Sequence, residues 1–269
     1  RAFFHTGLTS VSIPASVTSI SESQAFFSGR LVSIAVDANN PSYTVIDDVL
    51  FTKDVTKMVC YPSKKAGTDY TVPDSVTALA AFAFNSCDNL CSVTFSAQSQ
   101  LRNIGTYGLS YCDNIETLAL PATLQTLASY ACYMNTGLKT VFMNCAAPQM
   151  GSAVFSSAHQ DFCIYVQLGL SGWATPVWMG YPCVFYRSVD SITISNSVDT
   201  VNVYNRLALT ASFTPADTTQ TDIHWQLTDG IDNAILDKGY LYGTAPGSVT
   251  VVASVTDFGR TITTSKQFT

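Results

Sequence analysis

The side chains that could perform catalysis are few and scattered. Three histidines occur, His5, His159 and His224, each in a different segment. The only glutamates are Glu22 and Glu116, also far apart. A glycosidase would need two carboxylates facing one another across a bond, so it would have to recruit aspartates, most of which stand among turn residues. Asp37, Asp47, Asp48 and Asp54 lie close together in the chain, but their spacing matches no calcium loop. Eight cysteines are present without any C-x-x-C pair, which removes the usual zinc arrangement. No serine-nucleophile elbow, H-E-x-x-H helix or phosphate-cradling glycine loop appears. A hydrolase remains conceivable only through an aspartate pair assembled by folding. No cofactor or metal site is expected.

The more numerous polar groups are short hydroxyls at regular intervals, and these could bind without reacting. They sit within a repeat. Leu90, Val93 and Phe95 are followed by Leu101 and Ile104. Ile115, Leu118 and Leu120 are followed by Leu124 and Leu127, and Leu138, Val141 and Met143 open a third round. A period of 23 to 25 residues with an L-x-x-L-x-L core implies a solenoid of stacked coils, each burying its aliphatic edge under the next. In each predicted strand the aliphatic residues point inward and alternate positions point out. The outward positions are Ser10 and Ser12, Ser33 and Ala35, Ser92 and Thr94, Thr117 and Ala119, Thr140 and Phe142. In register, such hydroxyls could donate and accept along a glycan or an extended peptide, or simply keep the face soluble.

The rest of the chain supplies the frame. The match of the opening residues, up to Leu8, with those around Ala25 to Leu31 puts the start of this sequence inside a repeat. Residues 37–69 break the period, and Val45, Val49 to Phe51 and Met58 to Tyr61 predict an inserted β-hairpin. Residues 144–187 lose it again among Trp173, Trp178, Tyr181, Phe185 and Tyr186. A solenoid must close its apolar end, so these aromatics form a cap or, alternatively, a sugar-stacking platform through Trp173 and Trp178. Cys87, Cys112 and Cys132 fall at repeat phases that predict buried apolar packing, whereas Cys145, Cys163 and Cys183 leave room for a bridge. From residue 188 short alternating strands around Trp225 predict a sandwich, with His224 facing water. The net charge of −6 is spread as −2 over residues 1–187 and −4 over 188–269. This argues against nucleic acid or anionic membrane as partner. No apolar run is long enough for a membrane-spanning helix.

The repeats carry a resemblance. Pro14, Val17 and Ile20, then Pro73, Val76 and Leu79, then Ala83, Phe84, Cys87 and Leu90 are similar to the BspA-type leucine-rich repeats of bacterial surface proteins. The insert, with Asn40, Pro41, Tyr43, Asp48 to Phe51, Tyr61 and Pro62, resembles an interruption common in that family. Ser23-Gln24 and Tyr107-Gly108 depart from the family's Ala-Phe approach. Thr214 to Asp217, the Trp225 strand and the segment from Gly243 to Val251 resemble bacterial immunoglobulin-like domains of the Big_2 type. The expected fold is thus mainly β. A leucine-rich repeat solenoid (1–187, hairpin about 37–69, cap about 144–187) precedes an immunoglobulin-like β-sandwich (188–269). The resemblance implies an extracellular or cell-surface-attached bacterial protein that binds without catalysis. Its partner would be a host or neighbouring-cell surface protein, or a glycan in support of polysaccharide capture.

Overall fold

The computed structural model describes residues 6–21, 26, 29–219, 221–257 and 260–269; His5, Glu22, Ser23-Gln24 and part of the opening repeat match lie outside them. The chain forms two compact units, Arg1–Phe185 and Tyr186–Thr269, and the described residues contain no helix.

The strands of the first unit are β1 (Ser10–Ile13), β2 (Ser33–Val36), β3 (Tyr43–Ile46), β4 (Val49–Thr52), β5 (Lys57–Cys60), β6 (Asp69–Val72), β7 (Ala78–Leu79) and β8 (Ser92–Phe95). Then come β9 (Asn103–Ile104), β10 (Thr117–Leu120), β11 (Thr126–Leu127), β12 (Thr140–Met143), β13 (Gln149–Met150), β14 (Cys163–Gln167), β15 (Val177–Trp178) and β16 (Tyr181–Tyr186). They line two sides of a stack of coils. On the first side parallel partners stand one repeat apart: Val11 beside Ile34, Tyr70 beside Val93, Leu118 beside Val141 and Val141 beside Ile164. Between β8 and β10 the strands are neighbours, yet they belong to separate sheets. The cause is readable. Val72 to Val76 and Leu120 to Leu124 each turn the corner in four steps through a proline, whereas Phe95 to Leu101 takes six and lacks one. Two extra residues there offset the next coil.

The second side is a parallel ladder of very short strands, β5-β7-β9-β11-β13, aligning Met58, Leu79, Ile104, Leu127 and Met150. Met58 therefore belongs to the solenoid, where the sequence had placed it in the inserted hairpin. The hairpin proper is β3 and β4, joined by Asp47 and Asp48, both left-handed at φ 48° and 63° as a two-residue hairpin turn requires. It adds to the edge of β5 through a bulge.

Among the described residues the third side has no strands. Four successive coils reverse there through two left-handed residues four positions apart. Phe82 and Ser86 are followed by Tyr107 and Tyr111, Tyr130 and Met134, and Ala153 and Ser157. Left-handed backbone costs a non-glycine residue roughly 1–2 kcal/mol. Hydrogen bonds to the next coil offset it: Phe82 N–H donates to the Thr106 carbonyl (3.0 Å), Phe84 to Gly108 (2.8 Å) and Ser86 to Ser110 (3.0 Å). The same three bonds recur from Tyr130, Cys132 and Met134.

One aliphatic core runs through the coils from Val49 and Phe51 to Cys183. All eight cysteines are free thiols, so the room left for a bridge among Cys145, Cys163 and Cys183 is not used. Burial pushes the Cys60 thiol up to about 12 and Cys145 up to about 11, and raises Cys87 and Cys132. An unfolded chain would ionise these thiols near 9 while the folded chain keeps them protonated. Their contribution to stability is complete below pH 9 and is lost as pH rises toward 11–12. The melting temperature under reducing conditions should therefore fall steadily above about pH 9, and the fall should shrink in Cys60→Val, Cys145→Val.

The second unit consists of β17 (Ser191–Ile194), β18 (Arg206–Ala208), β19 (Ala211–Thr214), β20 (His224–Asp229), β21 (Ala234–Asp237), β22 (Tyr240–Gly243), β23 (Val249–Asp257) and β24 (Arg260–Phe268). They pair antiparallel as β17-β19, β18-β22-β21 and β20-β23-β24. Their inner residues, including Ile192, Leu241, Val251, Ala253 and Phe268, make one core against which the half-buried Trp225 packs. Val203 adds an isolated parallel bridge to Gly243.

Candidate binding surfaces

The first side of the solenoid presents the hydroxyl rows. Ser10, Ser12, Thr94 and Thr117 are exposed, and Ser33, Ser92 and Thr140 are half-buried. Ser10 stands beside Ser33, and Thr117 beside Thr140. Thr71 and Asp69, which the sequence reading did not single out, complete the rows beside Thr94 and Ser92. The Thr71 and Thr94 hydroxyls share a hydrogen bond of 2.8 Å, so part of this polarity is satisfied within the face. Ion pairs flank it, Lys64 with Asp88 at 2.6 Å and Lys139 with Glu116 at 3.0 Å. Both are exposed and contribute little to stability.

Phe142, expected to face outward, is buried, and of the two readings for Trp178, cap or sugar platform, its burial fits the cap. Phe142 is only 7% exposed, because its register partner is Tyr165 and the rings pack at 5.4 Å. Two adjacent aromatics in one row cover each other. Trp178 is 8% exposed and belongs to the solenoid core. Trp173 packs on it at 4.2 Å and donates its indole N–H to the Cys145 carbonyl at 2.9 Å. The Tyr181 hydroxyl accepts from Phe155 N–H at 3.1 Å. These residues close the end of the core, and the pair offers no open indole platform.

The third side carries a feature that sequence reasoning missed. Phe82, Tyr107 and Tyr130, one per coil, stack face to face with ring centroids 5.1 and 4.9 Å apart and planes within 13° and 4°. Tyr133 stands edgewise to Tyr107, Tyr130 and Tyr111 at 5.4–6.0 Å. All five rings are half-buried. Burial and then the neighbouring phenols raise the Tyr107 hydroxyl above its usual range. The available signal was the common phase of Phe82, Tyr107 and Tyr130, where Tyr107-Gly108 had looked like mere degeneration of the repeat.

Groups with acid–base potential are engaged in turns. His159 Nδ1 accepts from Asp161 N–H at 3.1 Å, and His224 is exposed. The Asp54 carboxylate accepts from the Thr52 hydroxyl (2.6 Å) and from Thr56, which lowers its pKa within a tight turn. Among the described residues no three His, Cys, Asp or Glu side chains gather as metal ligands, and no helix is long and apolar enough to cross a membrane.

Parallel coils with aligned aliphatic residues on two sides define a leucine-rich repeat solenoid. The chain belongs to the family described as BspA type leucine rich repeat region, whose model matches six copies over residues 1–67 and 53–164. The pneumococcal vaccine antigen PcpA has a similar structure, with 27% identity and a TM-score of 0.55 over 59% of this chain and 39% of that one. A leucine-rich repeat protein from Eubacterium ventriosum is 19% identical with a TM-score of 0.37, covering 64% of this chain and 62% of that one. A leucine rich cell surface protein from Faecalibacterium prausnitzii is 21% identical with a TM-score of 0.39, covering 58% and 50%. This chain thus spans less than two thirds of each of these structures. No curated protein matches it.

Proposed function

We propose that this chain is the ligand-binding part of a bacterial surface protein, extracellular or attached to the cell, that adheres to a partner without catalysis. Membership of the BspA-type family supports the location. The observation that carries the reading is the set of hydroxyls held in register within each sheet of the strand side, Ser10 beside Ser33, Thr71 beside Thr94 and Thr117 beside Thr140, with Ser10, Ser12, Thr94 and Thr117 open to solvent. A rigid ladder holds such groups at fixed spacing, so little ordering entropy is lost on binding. The second unit would act as a spacer of the bacterial immunoglobulin-like (Big_2) type, a reading supported by its antiparallel strands around Trp225 and by the residues that carry the resemblance.

The test is binding of the whole chain to immobilised host-matrix and bacterial surface proteins, and in parallel to a glycan array. Thr94→Lys with Thr117→Lys should weaken the interaction at least about tenfold while the melting temperature holds. A protein ligand supports adhesion as stated, and a glycan ligand lost in the same variant turns the reading to polysaccharide capture. Undiminished binding by the variant removes the strand side as the site. Trp178→Ala is unsuited to this purpose, because a core residue would fail through folding.

A further inference from the structure

The tyrosine column on the third side remains unassigned. Its surroundings are unusual for this chain. Residues 80–87, 105–112, 128–136 and 151–158, which build the column's four coils on this side, contain no Asp, Glu, Lys or Arg. They are Tyr, Ser, Ala, Gly, Asn and Met in large part, a composition that binds through rigid aromatic area and adaptable hydroxyls rather than ion pairs. The phenolic hydroxyls of Tyr107, Tyr111, Tyr130 and Tyr133 have no hydrogen-bond partner among the described residues.

The spacing selects the occupant. Rings recur at 4.9–5.1 Å along the stack, the step of one coil. An extended peptide repeats its side chains on one face every ~6.7 Å, and a polyproline helix repeats every ~9 Å, so neither stays in step over four coils. Another β-solenoid does, because its coils stack at about 4.8 Å. The stacked rings also cover each other's faces, which leaves edges rather than open faces for a sugar.

We infer that this side is a homotypic contact, on which two copies of the chain pair side by side in antiparallel fashion. The sequence of the columns fits a two-fold axis midway between the coils of Tyr107 and Tyr130. Along the first column Phe82, Tyr107, Tyr130 and Ala153 then face Ala153, Tyr130, Tyr107 and Phe82 of the second copy, so the largest end residue meets the smallest. Along the second column Tyr111 faces Met134, an aromatic–sulfur match, and Ser86 faces Ser157. Absence of charge lets two chains of net charge −6 approach on this side. The contact is separate from the strand side and does not depend on what that side binds.

The experiment is sedimentation equilibrium of the full chain at low and high salt. A concentration-dependent dimer is expected, with a Kd that changes less than about threefold with salt because no ion pair holds it. Ala153→Tyr, at a position whose backbone is already that of Tyr130, should weaken it about tenfold or more by meeting Phe82. Combining it with Phe82→Ala, which re-creates the large-to-small match in reverse, should restore the dimer to within about threefold. Should Ala153→Tyr disturb folding, Ser152→Glu tests the same contact, since it puts an exposed charge on the rim and should also dissociate the pair. A wild-type chain that stays monomeric overturns the inference. So does an Ala153→Tyr dimer as tight as wild type, a dimer broken by salt, or a double variant that is not restored. Dissociation of the wild-type dimer by a neutral polysaccharide such as unsubstituted glucan would reassign the side to glycan.

Discussion

Asn40→Ala should destabilise the N-terminal core by about 3 kcal/mol, one of the largest effects available to a polar residue of this chain. Asn40 is 1% exposed and uses all four of its hydrogen-bonding positions. Its Nδ2 donates to the Pro14 and Val17 carbonyls at 2.8 and 3.0 Å, and its Oδ1 accepts from the Ser42 and Tyr43 N–H groups at 2.9 and 2.8 Å. It therefore ties the first corner of the solenoid to the start of the hairpin. Alanine leaves two donors and two acceptors, the Tyr43 N–H buried and the others half-buried, without their partner beside the apolar core of Ile13, Leu31, Tyr43 and Leu50. Coils interact only with their neighbours, so the loss is local. Hydrogen exchange should show deprotection concentrated in β1 to β4 while β9 to β14 hold. Asn40→Asp should be at least as harmful, because it keeps the acceptors, removes the donors and buries a charge. Uniform loosening along the solenoid, or no change, would show that Asn40 is not this tie.

That role illustrates what the sequence disclosed. Asn39, Asn40 and Pro41 are legible as a turn, since their backbone preferences are local. That the Asn40 amide reaches 26 residues back to Pro14 depends on coil stacking, which no local preference encodes. The period and the first strand rows were legible because aliphatic residues recur where burial demands them. The second ladder was not, because strands as short as Ala78–Leu79 are set by hydrogen bonds from one coil to the next rather than by the propensity of two residues. The left-handed reversals were also hidden: Phe, Tyr and Met disfavour φ > 0, and it is the inter-coil bonds that hold them there. Alternation correctly placed Ser10, Ser12, Thr94 and Thr117 outside. It misplaced Phe142, whose fate was decided by the residue next to it in the following coil, Tyr165. Trp178 shows the same limit, for an aromatic near a solenoid end looks alike in sequence whether it caps or binds.

Gly137→Asn should lower stability by about 3 kcal/mol, although the repeat pattern itself recommends asparagine there. The equivalent positions are Asn89 and Asn114, whose side chains donate to the carbonyls of Lys65 (3.1 Å) and Asp88 (2.6 Å) in the preceding coil. By the repeat pattern alone, asparagine at Gly137 is a stabilising substitution. The backbone geometry argues the reverse. A Cβ at Gly137 would lie 2.0 Å from the Asp113 carbonyl oxygen, far inside any tolerable contact, and the obstacle is main chain rather than a side chain able to swing away. The close approach has a cause, since Thr136 N–H and Oγ1 both bond to the Asp113 carboxylate at 3.0 and 2.9 Å and draw the two coils together. Relief would require breaking those bonds or displacing Leu138 from the core, where it is fully buried. For a unit of this size the melting temperature should drop by roughly 6–12 °C. Gly137→Ala should cost nearly as much, since the first carbon is what collides. Adding Asp113→Ala and Thr136→Ala, which releases the coils, should recover part of the loss. If Gly137→Asn melts at or above wild type, the pull of Thr136 on Asp113 does not fix the spacing of these coils, and the consensus of the repeats outweighs the local approach.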